Sequence, residues 1–229
     1  MSDERPDDTR TMRERMLAGD LYIADDPDIE EESAAARDLM AAYNATTARQ
    51  KPLRRAILEQ LLGSVGEGTE LRQPVYVDFG TNISIGARCF ANFGLVALDV
   101  APITIGDDVQ IGPNVQLLTP THPVEPGPRR DKWEAAEPIT IGDNVWLGGG
   151  AIVLPGVTIG ANTVVGAGSV VTKDLPADVV AVGNPARVVK HLTDDWSGPG
   201  PGRSGPGRVL RSGSGRTNGE GEPLAMSKV

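Results

Sequence analysis

Residues 141–176 read IGDNVW LGGGAI VLPGVT IGANTV VGAGSV VTKDLP, six successive blocks of six residues. Each block opens on a large aliphatic residue, and a small or β-branched residue stands two positions before it. Side chains two positions apart on an extended strand point to the same side, so each block predicts one short strand with two inward side chains. Glycine, asparagine and aspartate fill the corners between strands, where tight bends and positive φ angles are tolerated. This period predicts a parallel β-helix, whose stacked coils bury one continuous aliphatic core.

The same pattern extends upstream of residue 141. The blocks IGDDVQ and IGPNVQ begin at Ile105 and Ile111, and Ile105 lies 36 residues, or six whole blocks, before Ile141. Residues 74–94 have a similar but less regular character, and Ile85 is out of phase with Ile105 by two residues, which predicts a small insertion between them. Residues 119–138 interrupt the blocks without changing their phase. A long loop inside a compact repeat is usually functional, so this loop is the predicted functional segment.

The ends of the chain differ from the repeats in composition. Residues 1–70 are charged, and their patterns predict three short helices at residues 11–17, 29–46 and 52–62. The third helix is expected to bury one apolar stripe, made of Leu53, Ile57, Leu58, Leu61 and Leu62. Residues 193–229 are rich in glycine, proline and serine and predict a disordered tail. The expected organisation is therefore a helical segment (1–70), an all-β, β-helical domain (71–192) and the tail.

Composition excludes several classes of function. The formal net charge is −9 over 229 residues, which argues against binding to nucleic acid or to an anionic membrane. Cys89 is the single cysteine, so neither an intrachain disulfide nor a cysteine-rich metal site can form. The two histidines cannot supply a three-histidine metal centre from one chain. No long apolar run and no signal peptide is recognised, so we expect a soluble cytoplasmic protein.

Several spaced motifs resemble those of the hexapeptide-repeat acyltransferases. They are the hexads themselves, VTKDLP at 171–176 and NPAR at 184–187. RMLAGDLYIADD at 15–26, FANF at 90–93 and THP at 121–123 are similar to the maltose and galactoside acetyltransferase and nodulation protein L group. The resemblance covers roughly residues 12–192. It implies a left-handed β-helix, which departs from the usual right-handed crossover, and a homotrimer with active sites between subunits.

The resemblance also implies chemistry for particular residues. His122, in the THP motif, is the implied general base, and a neutral imidazole can take the proton of a sugar hydroxyl at neutral pH. The implied acetyl donor is acetyl-CoA, and no metal is required. Its phosphates need a local basic patch on this acidic chain. The residues that the motif positions assign to binding acetyl-CoA are Gly149, Ala167, Thr172, Lys173, Arg187 and Lys190.

For the sugar acceptor, the resemblance points to Asp25, Asp78, Asn92 and Asp99. Carboxylates and amides suit this task because they exchange hydrogen bonds with adjacent hydroxyls. Asp78 stands where the galactoside enzyme has serine, and Val100 stands where that enzyme has a second aspartate. Both departures argue against a galactoside as the preferred acceptor.

The leading hypothesis is an acetyl-CoA-dependent O-acetyltransferase acting on a small sugar or glycoside. One alternative keeps the chemistry and changes the acceptor to an antibiotic or a cell-envelope sugar. Another is a β-helix that binds CoA without catalysis. His191, near the predicted tail, is interpreted as a surface residue, and Cys89 as a buried structural thiol.

Overall fold

The structure, a computed structural model, describes residues 8–193. Within this range the chain forms four helices and twenty short strands. The helices are α1 (Met12–Leu17), α2 (Pro27–Asn44), α3 (Lys51–Leu61) and α4 (Pro126–Arg130). The strands are β1 (Tyr22–Ile23), β2 (Ser64–Val65), β3 (Glu70–Leu71), β4 (Val75–Val77), β5 (Ile83–Ile85), β6 (Phe90–Ala91), β7 (Leu95–Leu98), β8 (Ile103–Ile105), β9 (Gln110–Ile111), β10 (Gln116–Leu118), β11 (Pro120–Thr121), β12 (Trp133–Ala136), β13 (Ile139–Ile141), β14 (Trp146–Leu147), β15 (Ile152–Val153), β16 (Thr158–Ile159), β17 (Val164–Val165), β18 (Val170–Val171), β19 (Val179–Val182) and β20 (Arg187–His191).

The repeats form the predicted parallel β-helix. The first sheet contains β2, β5, β8, β13 and β16, and the third contains β4, β7, β10, β15 and β18. The second sheet contains β3, β6, β9, β14, β17 and β19, and β20 adds to it in antiparallel orientation. Each coil visits the three sheets in turn and then rises to the next coil. The prediction of a parallel β-helix is confirmed.

The aliphatic residues that open the hexads form the core. All of those predicted from the pattern are buried, namely Ile105, Ile111, Leu117, Ile141, Leu147, Val153, Ile159, Val165 and Val171. Residues two positions earlier, such as Ile103, Val109 and Val145, are buried beside them. Burial of this stack supplies the main driving force for folding, because each fully buried aliphatic side chain contributes about 1.5–3 kcal/mol.

One corner of the β-helix is enlarged in several consecutive coils. Val65, Ile85 and Ile105 are successive partners in the first sheet and lie 20 residues apart, whereas Ile141 and Ile159 lie 18 apart. Between β7 and β8 the extra residues follow Leu98, at the turn from the third sheet back to the first, and the long loop after β10 leaves the same corner. The predicted insertion is confirmed, and the loop at residues 119–138 leaves the β-helix from the corner that this insertion enlarges.

The N-terminal helices begin and end close to the predicted residues. Thr11 caps α1, and its hydroxyl accepts a hydrogen bond from the Glu14 N–H while the Glu14 carboxylate accepts one from the Thr11 N–H. Asp26 caps α2 in a similar way.

The apolar stripe predicted for α3 is wrong at Leu53, which is 47% exposed. Arg54 takes the inward position instead, and its guanidinium donates hydrogen bonds to the Tyr43 hydroxyl and the Leu71 carbonyl. A guanidinium can be buried when its N–H groups are satisfied in this way.

Two further predictions concern the C-terminal tail and the membrane-spanning potential of the helices. Of the predicted tail, residues 194–229 lie outside the described residues. Among residues 8–193, no helix combines the length and apolar character needed to cross a bilayer.

Candidate active site

The loop at residues 119–138 belongs to a small antiparallel sheet that is separate from the three sheets of the β-helix. It folds into β11, α4 and β12, and β1 from the N-terminal segment pairs with β12. Thr121 lies opposite Ala135, and Tyr22 lies opposite Glu134. The predicted catalytic loop is therefore an ordered hairpin that is anchored to the N-terminal segment.

His122 follows β11 directly and faces β12. Its side chain is 55% exposed, and Nε2 lies 3.7 Å from Oε2 of Glu134, whose side chain is 15% exposed. A carboxylate beside an imidazole orients the ring and stabilises the charge that the ring acquires when it takes up a proton. His122 and Glu134 are therefore the candidate pair for proton transfer in this loop.

Further contacts fix the turn that carries His122. The guanidinium of Arg129, on α4, donates hydrogen bonds to the carbonyls of Pro123 and Val124 at 3.1 and 2.8 Å. At the other side of the loop, Nζ of Lys132 lies 2.9 Å from Oδ2 of Asp25, and this hydrogen bond lowers the pKa of Asp25. The ion pair is exposed to solvent, so it links the loop to the N-terminal segment without contributing much to stability.

His122 and Glu134 line a cavity of about 880 Å³. The other residues that line it are Tyr22, Ala24, Asp25, Ile29, Glu30, Ser33, Arg37, Asp78, Phe79, Leu98, Val100, Pro120, Arg129 and Lys132. Apolar side chains thus alternate with charged ones around a space large enough for a small sugar. Asp25, Asp78 and His122, three of the residues predicted from the sequence, meet in this cavity.

Asp78 is brought there by the enlarged corner. Val77 pairs with Ala97 and Leu98 pairs with Leu118, so residues 78, 99 and 119 follow aligned strands of adjacent coils. Burial raises the pKa of Asp78 to about 6, and the negative charges of Asp99 and Glu134 add to the effect. Neighbouring carboxylates and a partly apolar wall make the ionised form of Asp78 costly.

Asp99 lies beneath the cavity and does not line it. Its carboxylate is fully buried and accepts hydrogen bonds from the backbone N–H groups of Asp78, Phe79 and Asn82 at 3.0, 2.9 and 3.2 Å. These hydrogen bonds fix the turn at residues 78–82, which places Asp78 in the lining of the cavity. Asn92, the fourth predicted acceptor residue, also does not line the cavity, and its side-chain oxygen accepts a hydrogen bond from the Phe93 N–H.

The predicted donor-binding residues lie elsewhere on the described chain, and none of them lines the cavity of His122. Gly149 and Ala167 stack at the corner between the second and third sheets, where the Gly149 carbonyl accepts a hydrogen bond from Gly168 N–H at 2.9 Å. Thr172 and Lys173 follow β18, and Arg187 and Lys190 belong to β20, which pairs with β19. One described chain therefore does not place these residues around the imidazole.

Two classes of site receive no support from the described residues. Cys89 is buried, its Sγ lies 3.0 Å from the Gly106 carbonyl oxygen, and burial raises the pKa of the thiol, so the interpretation as a structural thiol is confirmed. Among residues 8–193, no group of three or more histidine, cysteine, aspartate or glutamate side chains is placed to hold a metal ion.

Comparison with known proteins decides the family. The model of the maltose acetyltransferase hexapeptide capping motif matches residues 15–66, and that of the bacterial transferase hexapeptide, with six repeats, matches residues 138–173. Nodulation protein L of Rhizobium meliloti (strain 1021) is 49% identical over 180 residues, which are 79% of this chain and 98% of that protein. The chain belongs to the hexapeptide-repeat acetyltransferases.

Solved structures agree with this assignment. A maltose O-acetyltransferase from Clostridium difficile 630 is 45% identical to this acetyltransferase, with a TM-score of 0.79 over 81% of this chain and 99% of that one. A galactoside acetyltransferase in complex with coenzyme A is 40% identical, with a TM-score of 0.78 over 81% of this chain and 92% of that one.

A further relative, found by comparison of sequences, has a named activity. The galactoside O-acetyltransferase of Escherichia coli (strain K12) is 41% identical over 183 residues, which are 80% of this chain and 90% of that protein.

Two residues of the acetyltransferase site were not singled out from the sequence. Glu134 lies in the irregular loop, and nothing in its spacing from His122 indicates which carboxylate faces the ring. Tyr22 was part of a motif quoted above, but its position opposite Glu134 depends on the pairing of β1 with β12. Both residues are identified by the register of β12 with its two neighbouring strands, and no short period in the sequence encodes that register.

The raised pKa of Asp78 predicts a pH-dependent gain in stability for Asp78→Asn. The folded pKa of about 6 exceeds the usual value of 3.8, so ionisation of Asp78 opposes folding, and this cost develops as the pH rises from about 4 to above 6. We expect Asp78→Asn to raise the free energy of unfolding at pH 8 by about 1–2 kcal/mol, after allowance for partial solvation. At pH 4.5 the gain should fall to about a third of its value at pH 8, because an unfolded Asp78 is already mostly ionised there. Urea unfolding at both pH values measures it.

Asp38→Asn, at an exposed position of α2, is the control for this measurement. It removes one carboxylate of the same type outside the cavity. A gain of equal size at both pH values for Asp78→Asn, or a gain no larger than that of the control, would contradict the account.

Proposed function

We propose that this protein transfers an acetyl group from acetyl-CoA to a hydroxyl group of a small sugar or glycoside. The observation that supports the proposal is the cavity that His122 and Glu134 line side by side, together with Asp25 and Asp78. The carboxylates suit an acceptor that carries several hydroxyl groups. The named activities of the maltose and galactoside relatives favour the same class of acceptor.

His122 is the general base of the proposed reaction. Glu134 faces Nε2, so Nδ1 is the ring nitrogen that takes the hydroxyl proton. The acceptor oxygen then attacks the thioester carbonyl carbon, and the carbon–sulfur bond breaks as the acetyl group is transferred. The proton on His122 goes to the departing sulfur, which leaves as CoA thiol. The Glu134 carboxylate stabilises the imidazolium between these two proton transfers.

The residues that would hold acetyl-CoA fit an anionic ligand. Lys173, Arg187 and Lys190 are exposed cations on an otherwise acidic chain, and their charges suit phosphate groups. Gly149 adds a corner with little room for a side chain, because a Cβ there would lie 3.2 Å from Cδ of Pro113. Its backbone N–H is the proposed donor to the carbonyl oxygen of the thioester. Ala167 and Thr172 complete the proposed set.

The placement of these groups supports a site shared between subunits, as in the homotrimer that the family resemblance implies. In one described chain the donor-binding candidates do not line the cavity of His122, so we propose that a neighbouring subunit brings its own set to this cavity. Light scattering that finds three chains per particle would support this arrangement. A fully active monomer would exclude it.

The test of the function is sugar-dependent release of CoA thiol from acetyl-CoA. The panel should contain monosaccharides, disaccharides, glycosides with apolar aglycones, and an aminoglycoside antibiotic, and mass spectrometry should identify the acetylated product. We expect thiol release with at least one neutral sugar and an ester product. Cys89 is buried and should contribute little to the thiol signal. If only the antibiotic reacts, the acceptor belongs to a different class from the one proposed. If the protein binds CoA but releases no CoA thiol with any acceptor of the panel, the non-catalytic alternative is favoured.

A further inference from the structure

Tyr22 is a buried tyrosine of the N-terminal segment at the edge of the catalytic cavity. It is 1% exposed, lies in β1 and belongs to the stretch matched by the capping motif. Its direct partner in the antiparallel pair with β12 is Glu134. Side chains that face each other across such a pair lie on the same side of the sheet, with Cβ atoms about 4.5–5.5 Å apart. Both side chains also line the cavity.

The phenol of Tyr22 faces the Glu134 carboxylate across this strand pair. Burial raises the pKa of Tyr22 above its usual value, and the interaction with the Glu134 carboxylate and the charge of Asp78 add to the effect. The hydroxyl is therefore protonated at every pH at which the enzyme would be assayed, and it can act as a donor to Glu134. Glu134 is thus placed between two side chains, the Tyr22 hydroxyl on one side and the His122 imidazole on the other.

We propose that Tyr22 is a positioning residue of the acetyltransferase, whose hydroxyl holds the Glu134 carboxylate in the orientation that faces His122. The inference rests on the proposed role of His122 as the general base. It assigns a function to the N-terminal segment: through β1 this segment supplies the donor that orients the positioning carboxylate. The loop at 119–138 contains His122 and Glu134 but does not contain this donor.

The size of the effect follows from the type of bond. A hydrogen bond to a charged group is among the stronger ones in proteins, and its loss here acts on the charge that His122 acquires during the reaction. Tyr22→Phe keeps the ring that fills the site and removes only the hydroxyl. We expect this variant to lower kcat about tenfold, with the KM values for sugar and acetyl-CoA changed less than twofold.

Tyr43→Phe is the matched control. Tyr43 is also fully buried, and its hydroxyl is also hydrogen-bonded, to the Leu71 carbonyl and Arg54, but it does not line the cavity. If loss of a buried phenol hydroxyl acted only through stability, both variants would lower the melting temperature and neither would change kcat of the folded enzyme. We expect a lower kcat for Tyr22→Phe alone.

A double-mutant cycle tests whether Tyr22 acts through Glu134. In the Glu134→Ala background the hydroxyl has no carboxylate to hold, so adding Tyr22→Phe should change kcat less than twofold. An equal loss in both backgrounds would overturn the proposal, as would an unchanged kcat in Tyr22→Phe. A raised KM for the sugar with normal kcat would also overturn it, because Tyr22 would then act on the acceptor directly.

A spectroscopic measurement separates this inference from the proposed function. The chain contains only two histidines, so the imidazole resonances of His122 and His191 can be assigned by substitution. Tyr22→Phe should shift the ring resonances of His122 and leave those of His191 in place, whether or not a sugar substrate has been found. Unchanged His122 resonances would overturn the positioning role. Full activity of His122→Ala would instead overturn the proposed function.

Discussion

We expect replacement of His122 by alanine to lower kcat for acetyl transfer by about 100-fold to about 10,000-fold. This is the range expected when a general base is removed from a reaction whose nucleophile is a neutral hydroxyl. The alanine leaves the cavity wall and the donor-binding candidates in place, so the KM for acetyl-CoA should stay within a few-fold of its original value. Initial rates of CoA thiol release at saturating sugar measure the effect.

His191→Ala is the control for this substitution. His191 is the other histidine of the chain and lies exposed at the end of β20, away from the cavity lining. Its removal should leave kcat within about twofold of the original enzyme. A His122→Ala variant with undiminished turnover would eliminate His122 as the base. Equal losses in the two variants would point to a general effect of the substitution on the protein.

Replacement of Leu147 by alanine should lower the free energy of unfolding by about 2–5 kcal/mol. Leu147 is fully buried in β14 and packs between Ile111 and Val165 of the adjacent coils. Its truncation loses the transfer free energy of the removed atoms and leaves a cavity that the paired strands on both sides cannot close. Urea unfolding at a fixed protein concentration gives the difference.

Leu53→Ala provides a comparison with the same pair of residue types. Leu53 lies on α3 and is largely exposed, so its truncation should cost less than about 0.5 kcal/mol. If the two variants were destabilised equally, the division between the buried stack and the exposed surface of α3 would be wrong. A loss below 1 kcal/mol for Leu147→Ala would show that neighbouring coils collapse into the space.

The β-helix could be predicted because its information is local and repeated. A strand of two or three residues is specified by two inward aliphatic side chains and a corner residue, and six residues contain all of these. Each repetition adds independent support, so small errors at one block, such as the two extra residues before Ile105, do not change the conclusion. The exposed position of Leu53 was missed because burial of Arg54 depends on acceptors supplied by α2 and the first coil.

The candidate site was predictable only in part. His122 was identified through a motif, and the structure places it in one cavity with Asp25 and Asp78, two of the residues predicted for the acceptor. Asp99 was expected on the same surface, but its neighbours in the turn at 78–82 claim its oxygens through backbone N–H groups. The sequence does not distinguish an aspartate that binds backbone N–H groups from an aspartate that faces a ligand.

The sequence by itself determined the coil, its six-residue period, the aliphatic core and the place where the loop interrupts them, because each depends on side chains close together in the chain. Only the tertiary structure decided which groups face His122. Glu134 reaches the imidazole through the pairing of β11 with β12. Tyr22 reaches Glu134 through the pairing of β1 with β12, two strands more than a hundred residues apart. That register is set by the packing of the N-terminal segment against the loop, and no periodic pattern along the chain records it.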